Sequence, residues 1–150
     1  DYLISDHGQY ANANPPTNAF NGDGGSTICA AATVGVASSV TFTPPPTAFT
    51  SSVTVDVIAP ASGSQGADVL ITNTAGVETT MTNSGNNWSA TVVGIKSIKV
   101  QGTGGQSQAD IREINMDGVF LVSKGKFGDN GLYLPFNTSN NGAIYTGSYT

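Results

Sequence analysis

The residues equipped for chemistry are few, and most lie in two places. Residues 17–27, TNAFNGDGGST, set Asn21, Asp23, Ser26 and Thr27 among glycines. Side-chain oxygens and exposed backbone carbonyls in one loop are hard donors, the kind Ca²⁺ gathers in sets of about six to eight at ~2.3–2.6 Å. A second carboxylate would have to come from elsewhere, and Glu113, in a β-patterned run, is the candidate. The plainer alternative is a turn held by Asx-type side-chain to backbone bonds. Asp110, Glu113 and Asp117 form a second acidic group. Acid–base work needs a fixed separation between carboxylates and a raised pKa, and neither is written in this spacing. The one cysteine, Cys29, sits in an Ala-rich run, and the one histidine, His7, lies far from it near the N-terminus. A phosphate-cradling loop, a metal-spaced His/Cys cluster and a nucleophile–base pair are all missing from the pattern. The expectation is a protein that is not an enzyme.

Composition supports a binding or assembly role. The chain has 150 residues, enough for one domain, with charged residues at only 10% and a net charge of −5. Soluble domains average about 25% charged residues. With five Lys and Arg in all, tracking a phosphate backbone is excluded, and so is electrostatic attachment to an anionic membrane. No apolar run approaches the ~20 residues of a membrane helix. A single cysteine cannot form an internal disulfide. The chain begins at Asp1 without an initiator methionine and ends at Thr150 in mid-pattern, which points to a processed form or to part of a longer protein.

The elements that must position these groups read as short strands. Residues 51–58 alternate most clearly, with Val53, Val55 and Val57 on one face and Thr54 and Asp56 on the other. Residues 68–73 and 77–82 read as a hairpin across Thr74-Ala75-Gly76. Residues 40–42, 88–93 and 95–101 are further strands, with Ile98 and Val100 sharing a face. Residues 110–124, DIREINMDGVFLVSK, read as two strands about an Asp117-Gly118 turn, and the unbroken apolar run 119–122 is expected to be core. Pro15 and Pro16 argue against helix at the end of an extended N-terminal arm, and the aromatics Phe127, Tyr133, Phe136 and Tyr145 read as anchors on a C-terminal strap. Trp88 reads as core or rim packing, with sugar stacking as the alternative. Asn87-Trp88-Ser89 and Asn137-Thr138-Ser139 match the N-glycosylation pattern. About eight or nine short strands without a long helix predict an all-β, antiparallel sandwich. Its divisions would be an arm over 1–16, the sandwich over 17–124 and the strap over 125–150.

Two stretches carry a resemblance. Asn18-Ala19-Phe20-Asn21-Gly22-Asp23 resembles the loop near the start of galactose-binding-like (discoidin-type) jelly-roll domains, and Ile111-Arg112-Glu113-Ile114 through Gly118 resembles their closing strand. TFTPPPTAFTSSVTVDV, NNWSATVV, IREINMDGVFLV and FGDNGLYLPF together look like the fibre and virion-surface proteins of marine tailed phages (cyanophages). The resemblance implies a galactose-binding-domain-like jelly roll in which the early loop and the late Glu meet at a structural Ca²⁺. By position the ligands would be the Ala19 carbonyl, Asn21, Asp23, Thr27 and Glu113. Asn21 stands where the family usually has Asp, which removes one charge from the set. The function implied is a virion structural protein, a capsid decoration or tail-fibre subunit on the particle surface. It would form homo-oligomers and meet other virion proteins through its arm and strap. The alternatives are a module binding a host surface glycan and a subunit of an extracellular filament. Neither a nucleic acid nor a membrane is an expected partner.

Overall fold

Residues 52–58 place a valine at every second position, and this alternation sets the middle of the molecule. In the computed structural model these residues form a seven-residue strand with Val53, Val55 and Val57 buried and the residues between them turned outward. The structure describes residues 3–5, 10, 13–22, 39–44, 51–60, 67–102 and 109–121. In chain order their strands are β1 (Leu3–Ser5), β2 (Ser39–Thr43), β3 (Ser52–Ile58), β4 (Ala67–Thr72), β5 (Glu78–Thr80), β6 (Thr82–Ser84), β7 (Asn87–Val93), β8 (Ser97–Gly102), β9 (Glu113–Met116) and β10 (Val119–Phe120).

These strands make two five-stranded antiparallel sheets, ordered β1-β2-β8-β4-β5 and β10-β9-β3-β7-β6. The chain passes from one sheet to the other between β2, β3 and β4, and again between β7, β8 and β9. This wrapping is a jelly-roll sandwich, the expected fold. Facing side chains fill the space between the sheets: Val40, Phe42, Val69, Ile71, Ile98 and Val100 from the first, Val53, Val55, Val57, Trp88, Ile114 and Met116 from the second. The Trp88 ring is buried, and its indole N–H donates to the Ala59 carbonyl at 3.1 Å, so Trp88 is core.

Turn chemistry closes the hairpins. Asp117 and Gly118 have φ of +50° and +82° between the paired residues Met116 and Val119, as a type I′ connection requires. Asp117 also ties this turn to β3. Its backbone N–H donates to the Thr54 carbonyl at 2.8 Å, and its Oδ1 accepts from the Thr54 N–H at 2.8 Å. The expected hairpin around residues 74–76 is present, pairing Leu70, Ile71 and Thr72 with Thr80, Thr79 and Glu78. Between β5 and β6 the chain changes sheets at Met81, which is buried and donates its N–H to the Val69 carbonyl at 2.8 Å.

Three expectations need correction. The run 119–122 is not the core of its stretch: Val119 is 43% exposed, and Phe120 and Leu121 are half-buried. β10 is a two-residue edge strand with one neighbour, so its apolar side chains cover a flank. Ile111, Ile114 and Met116 are the buried residues here. Among the described residues of 1–16, Leu3–Ser5 and Tyr10 do not stand apart as an arm. Leu3–Ser5 pairs with β2, Ile4 lying opposite Phe42, and the buried Tyr10 donates its hydroxyl to the Ala109 carbonyl. The exposed edge of β2 offered a ladder, and Ile4 extends the apolar inner face. Pro16 does not exclude helix either. It opens a 3-10 helix, Pro16–Phe20, because a first-turn residue needs no N–H partner. Phe20 from this helix meets Phe42 edge-on, with ring centroids 5.5 Å apart. The strap expected over 125–150, together with His7 and Cys29, lies outside the described residues.

Two stability measurements follow from this packing. Phe42 is fully buried, and Phe42→Ala is expected to lower unfolding stability by about 3–5 kcal/mol in urea titrations. Gly85 and Gly94 have φ of +66° and +70°, but a Cβ meets nothing within 4 Å at Gly85 and lies 2.6 Å from Thr74 Oγ1 at Gly94. Gly85→Ala should cost only the left-handed backbone term, about 1–2 kcal/mol. Gly94→Ala should cost distinctly more, and equal losses would contradict the close approach.

Candidate functional site

The acidic stretch leading into β9 is where sequence and structure meet most informatively. Asp110 and Glu113 are both 0% exposed and are the buried charged residues among those described. A carboxylate taken out of water loses several kcal/mol of hydration, which its surroundings must return through donors, a counter-charge or a bound cation. Glu113 lies opposite Ile58 in the β3–β9 ladder, while Ile114 and Met116 lie opposite Val57 and Val55. Because neighbours on a strand point to opposite sides, Glu113 belongs to the outer face of the second sheet. That it is nonetheless buried means this end of the face is covered. The 3-10 helix Pro16–Phe20 packs against β9 here.

The helix that carries Ala19 thus packs on the strand that carries Glu113. Of the five implied ligands, Ala19 is buried, Asn21 follows the helix and is half-buried, and Glu113 is buried on the packed strand. Asp23 and Thr27 lie outside the described residues. The three described residues of the implied set would offer a carbonyl, an amide and one carboxylate, all hard oxygens of the kind Ca²⁺ takes and zinc does not favour. The burial of Asp110 was not foreseen. The sequence hint of it was only its position, three residues before Glu113 at the entry to an apolar strand. Asp117, the third acid considered, is given instead to the turn. Nε of Arg112 is buried without a hydrogen-bond partner, while the Arg112 backbone N–H donates to the Ile58 carbonyl at 2.8 Å. Among the described residues no cluster of three or more His, Cys, Asp or Glu is placed to hold a metal.

The remainder of that outer face is a second candidate. Register places Ser52, Thr54 and Asp56 beside Val93, Thr91 and Ser89, with Thr82 beyond Ser89 and Asn115 and Phe120 on the other flank. Strand alternation thus gives a surface that is mostly hydroxyls and amides, with one carboxylate, Asp56, one aromatic ring, Phe120, and the exposed Val93 at one end. Elsewhere, an open cavity of about 230 Å³ lies at one end of the first sheet, lined by Thr43, Pro44, Thr74, Ile95 and Lys96. No helix among the described residues is long and apolar enough to cross a membrane.

No protein-family model matches this chain. No curated protein matches it either. Among solved structures there is a similarity to a pectin-binding carbohydrate-binding module determined in a monoclinic crystal form. It has a TM-score of 0.44 and 14% identity, over 81% of this chain and 93% of that one.

The acidic cluster is tested through stability. Glu113→Gln keeps the shape of the side chain and removes its charge. With a cation at the cluster, the melting temperature of the wild type should fall on chelation and recover with added Ca²⁺, and Glu113→Gln should melt lower and no longer respond to either. A wild-type melting temperature indifferent to both treatments would remove the metal.

Proposed function

We propose that this sandwich is a non-catalytic binding module whose ligand is a neutral glycan, taken up on the outer face of the second sheet. The observation that carries this reading is the chemistry of that face. A sugar presents hydroxyls that both donate and accept, and a surface of Ser, Thr, Asn and Asp side chains answers both demands. Its low charge fits an uncharged partner, and the net charge of −5 disfavours an anionic one. Within this reading the Ala19 carbonyl, Asn21, Asp23, Thr27 and Glu113 would hold a structural Ca²⁺ that ties the early loop to β9.

The assembly role on a virion surface rested on two terminal segments. The first is built into the sandwich at β1 and Tyr10, and the second lies outside the described residues. The glycan reading draws on side chains that the structure does describe.

Calorimetric titration of the intact protein against neutral and anionic polysaccharides tests the proposal. The expected outcome is saturable binding to at least one neutral polysaccharide that survives raised salt, because uncharged contacts are not screened. Retention of anionic polymers alone, lost as salt rises, would overturn it.

A further inference from the structure

We infer that the glycan lies across the strands of the second sheet, as a chain of several sugars, along the single row Thr82, Ser89, Asp56, Asn115 and Phe120. This rests on the glycan reading above and specifies its site. The five residues are successive cross-strand partners: Thr82 opposite Ser89, Ser89 opposite Asp56, Asp56 opposite Asn115, and Asn115 opposite Phe120. They run from one edge of the sheet to the other, one residue from each strand. With strands about 4.8 Å apart, the row spans about 19 Å. That is too long for one pyranose ring and suits an extended oligosaccharide.

What singles out this row is that its side chains are uncommitted. In the adjacent row the Thr54 and Thr91 hydroxyls bond to each other at 3.0 Å, and Asp117 Oδ1 accepts from the Thr54 N–H. On the other side the row holds the apolar Ile58 and the buried Glu113 at its β3 and β9 positions, with polar residues only at its β6–β7 end, Ser84 and Asn87. By contrast, no internal hydrogen bond to the side chains of Thr82, Ser89, Asp56 or Asn115 is found among the described residues, and Asn115 Oδ1 is buried without any partner. A native fold rarely leaves such an acceptor unmet, and a ligand is one explanation for it. A turn of the half-buried Asn115 side chain would present its amide to a sugar hydroxyl, which can then supply the missing bond.

The row also has a direction. At the β10 end the half-buried Phe120 ring offers an apolar surface for the C–H face of a sugar. At the centre Asp56 presents two acceptor oxygens, enough for two neighbouring hydroxyls of one ring. At the β6 end Thr82 is exposed and leaves the chain free to continue into solvent. The site therefore selects internal segments of a glycan chain, and a single terminal sugar would fill only part of it.

The test uses the intact protein and a neutral polysaccharide that it retains, with the mono- to hexasaccharide series derived from it. Affinity should rise with each added sugar until the row is filled. Asp56→Asn and Phe120→Leu should each weaken oligosaccharide binding by about tenfold. Ser52→Ala, on the same face outside the row, should leave affinity unchanged. Melting temperatures separate lost binding from lost folding, and Phe120→Tyr, which keeps a ring, should bind as the wild type does. If no neutral glycan binds at all, the proposed function itself fails. If one binds but a monosaccharide binds as tightly as the hexasaccharide, or both row variants bind normally, the function stands and this site is wrong.

Discussion

The alternation of β3 is the constraint on which the rest depends. Val53, Val55 and Val57 must face the first sheet to leave water, and the pleat then turns Thr54, Asp56 and Ile58 to the other side. β7 and β9 flank β3, so its register determines which of their side chains go inward. Trp88, Ile114 and Met116 become core as a result, and Ser89, Asn115 and Glu113 become outer face. A slip of one residue would exchange the two sets and bury three polar side chains in place of three apolar ones. The hydrophobic effect thus fixes the polar surface indirectly, by leaving it no other place.

Two parts of the outer face put this surplus of polar groups to different uses. At one end Glu113 is buried, as is Asp110 three residues before it, and each buried carboxylate costs hydration and demands compensation. Toward the middle, Asp56 and Asn115 stay half-buried. The covered end keeps Glu113 out of water, and the open part is the surface proposed above for the glycan. The Asp117 turn belongs to this division as well. By exchanging two hydrogen bonds with Thr54 it locks the β9–β10 hairpin onto β3 and so places Phe120 beside Asn115.

Much of the fold was legible in the sequence because its signals are local. The period of two in residues 52–58, the turn residues at 74–76 and 117–118 and the shared face of Ile98 and Val100 each report on their own strand. What failed was position within a sheet. An apolar run such as 119–122 reads as core whether its strand is central or at an edge, and β10 is an edge. The same ignorance of neighbours assigned residues 3–5 to an arm, since a short strand there does not announce its partner β2, 34 or more residues away. Of the candidate site, the acids Asp110, Glu113 and Asp117 could be named from the sequence, whereas the burial of Asp110 and Glu113 depends on packing that their spacing does not report. The row from Thr82 to Phe120 was illegible in principle. Its five residues come from five strands, and only register aligns them.

Backbone amide chemical shifts offer the most direct measurement. In a titration of the isotope-labelled intact protein with a neutral oligosaccharide, the largest changes should fall on Ser89, Asp56, Asn115 and Phe120, with the face around Lys99 and Leu70 of the first sheet unmoved. Changes confined to the loop ends near Thr74 and Lys96, or no changes with any neutral oligosaccharide, would contradict the assignment of the second sheet's outer face as the binding surface.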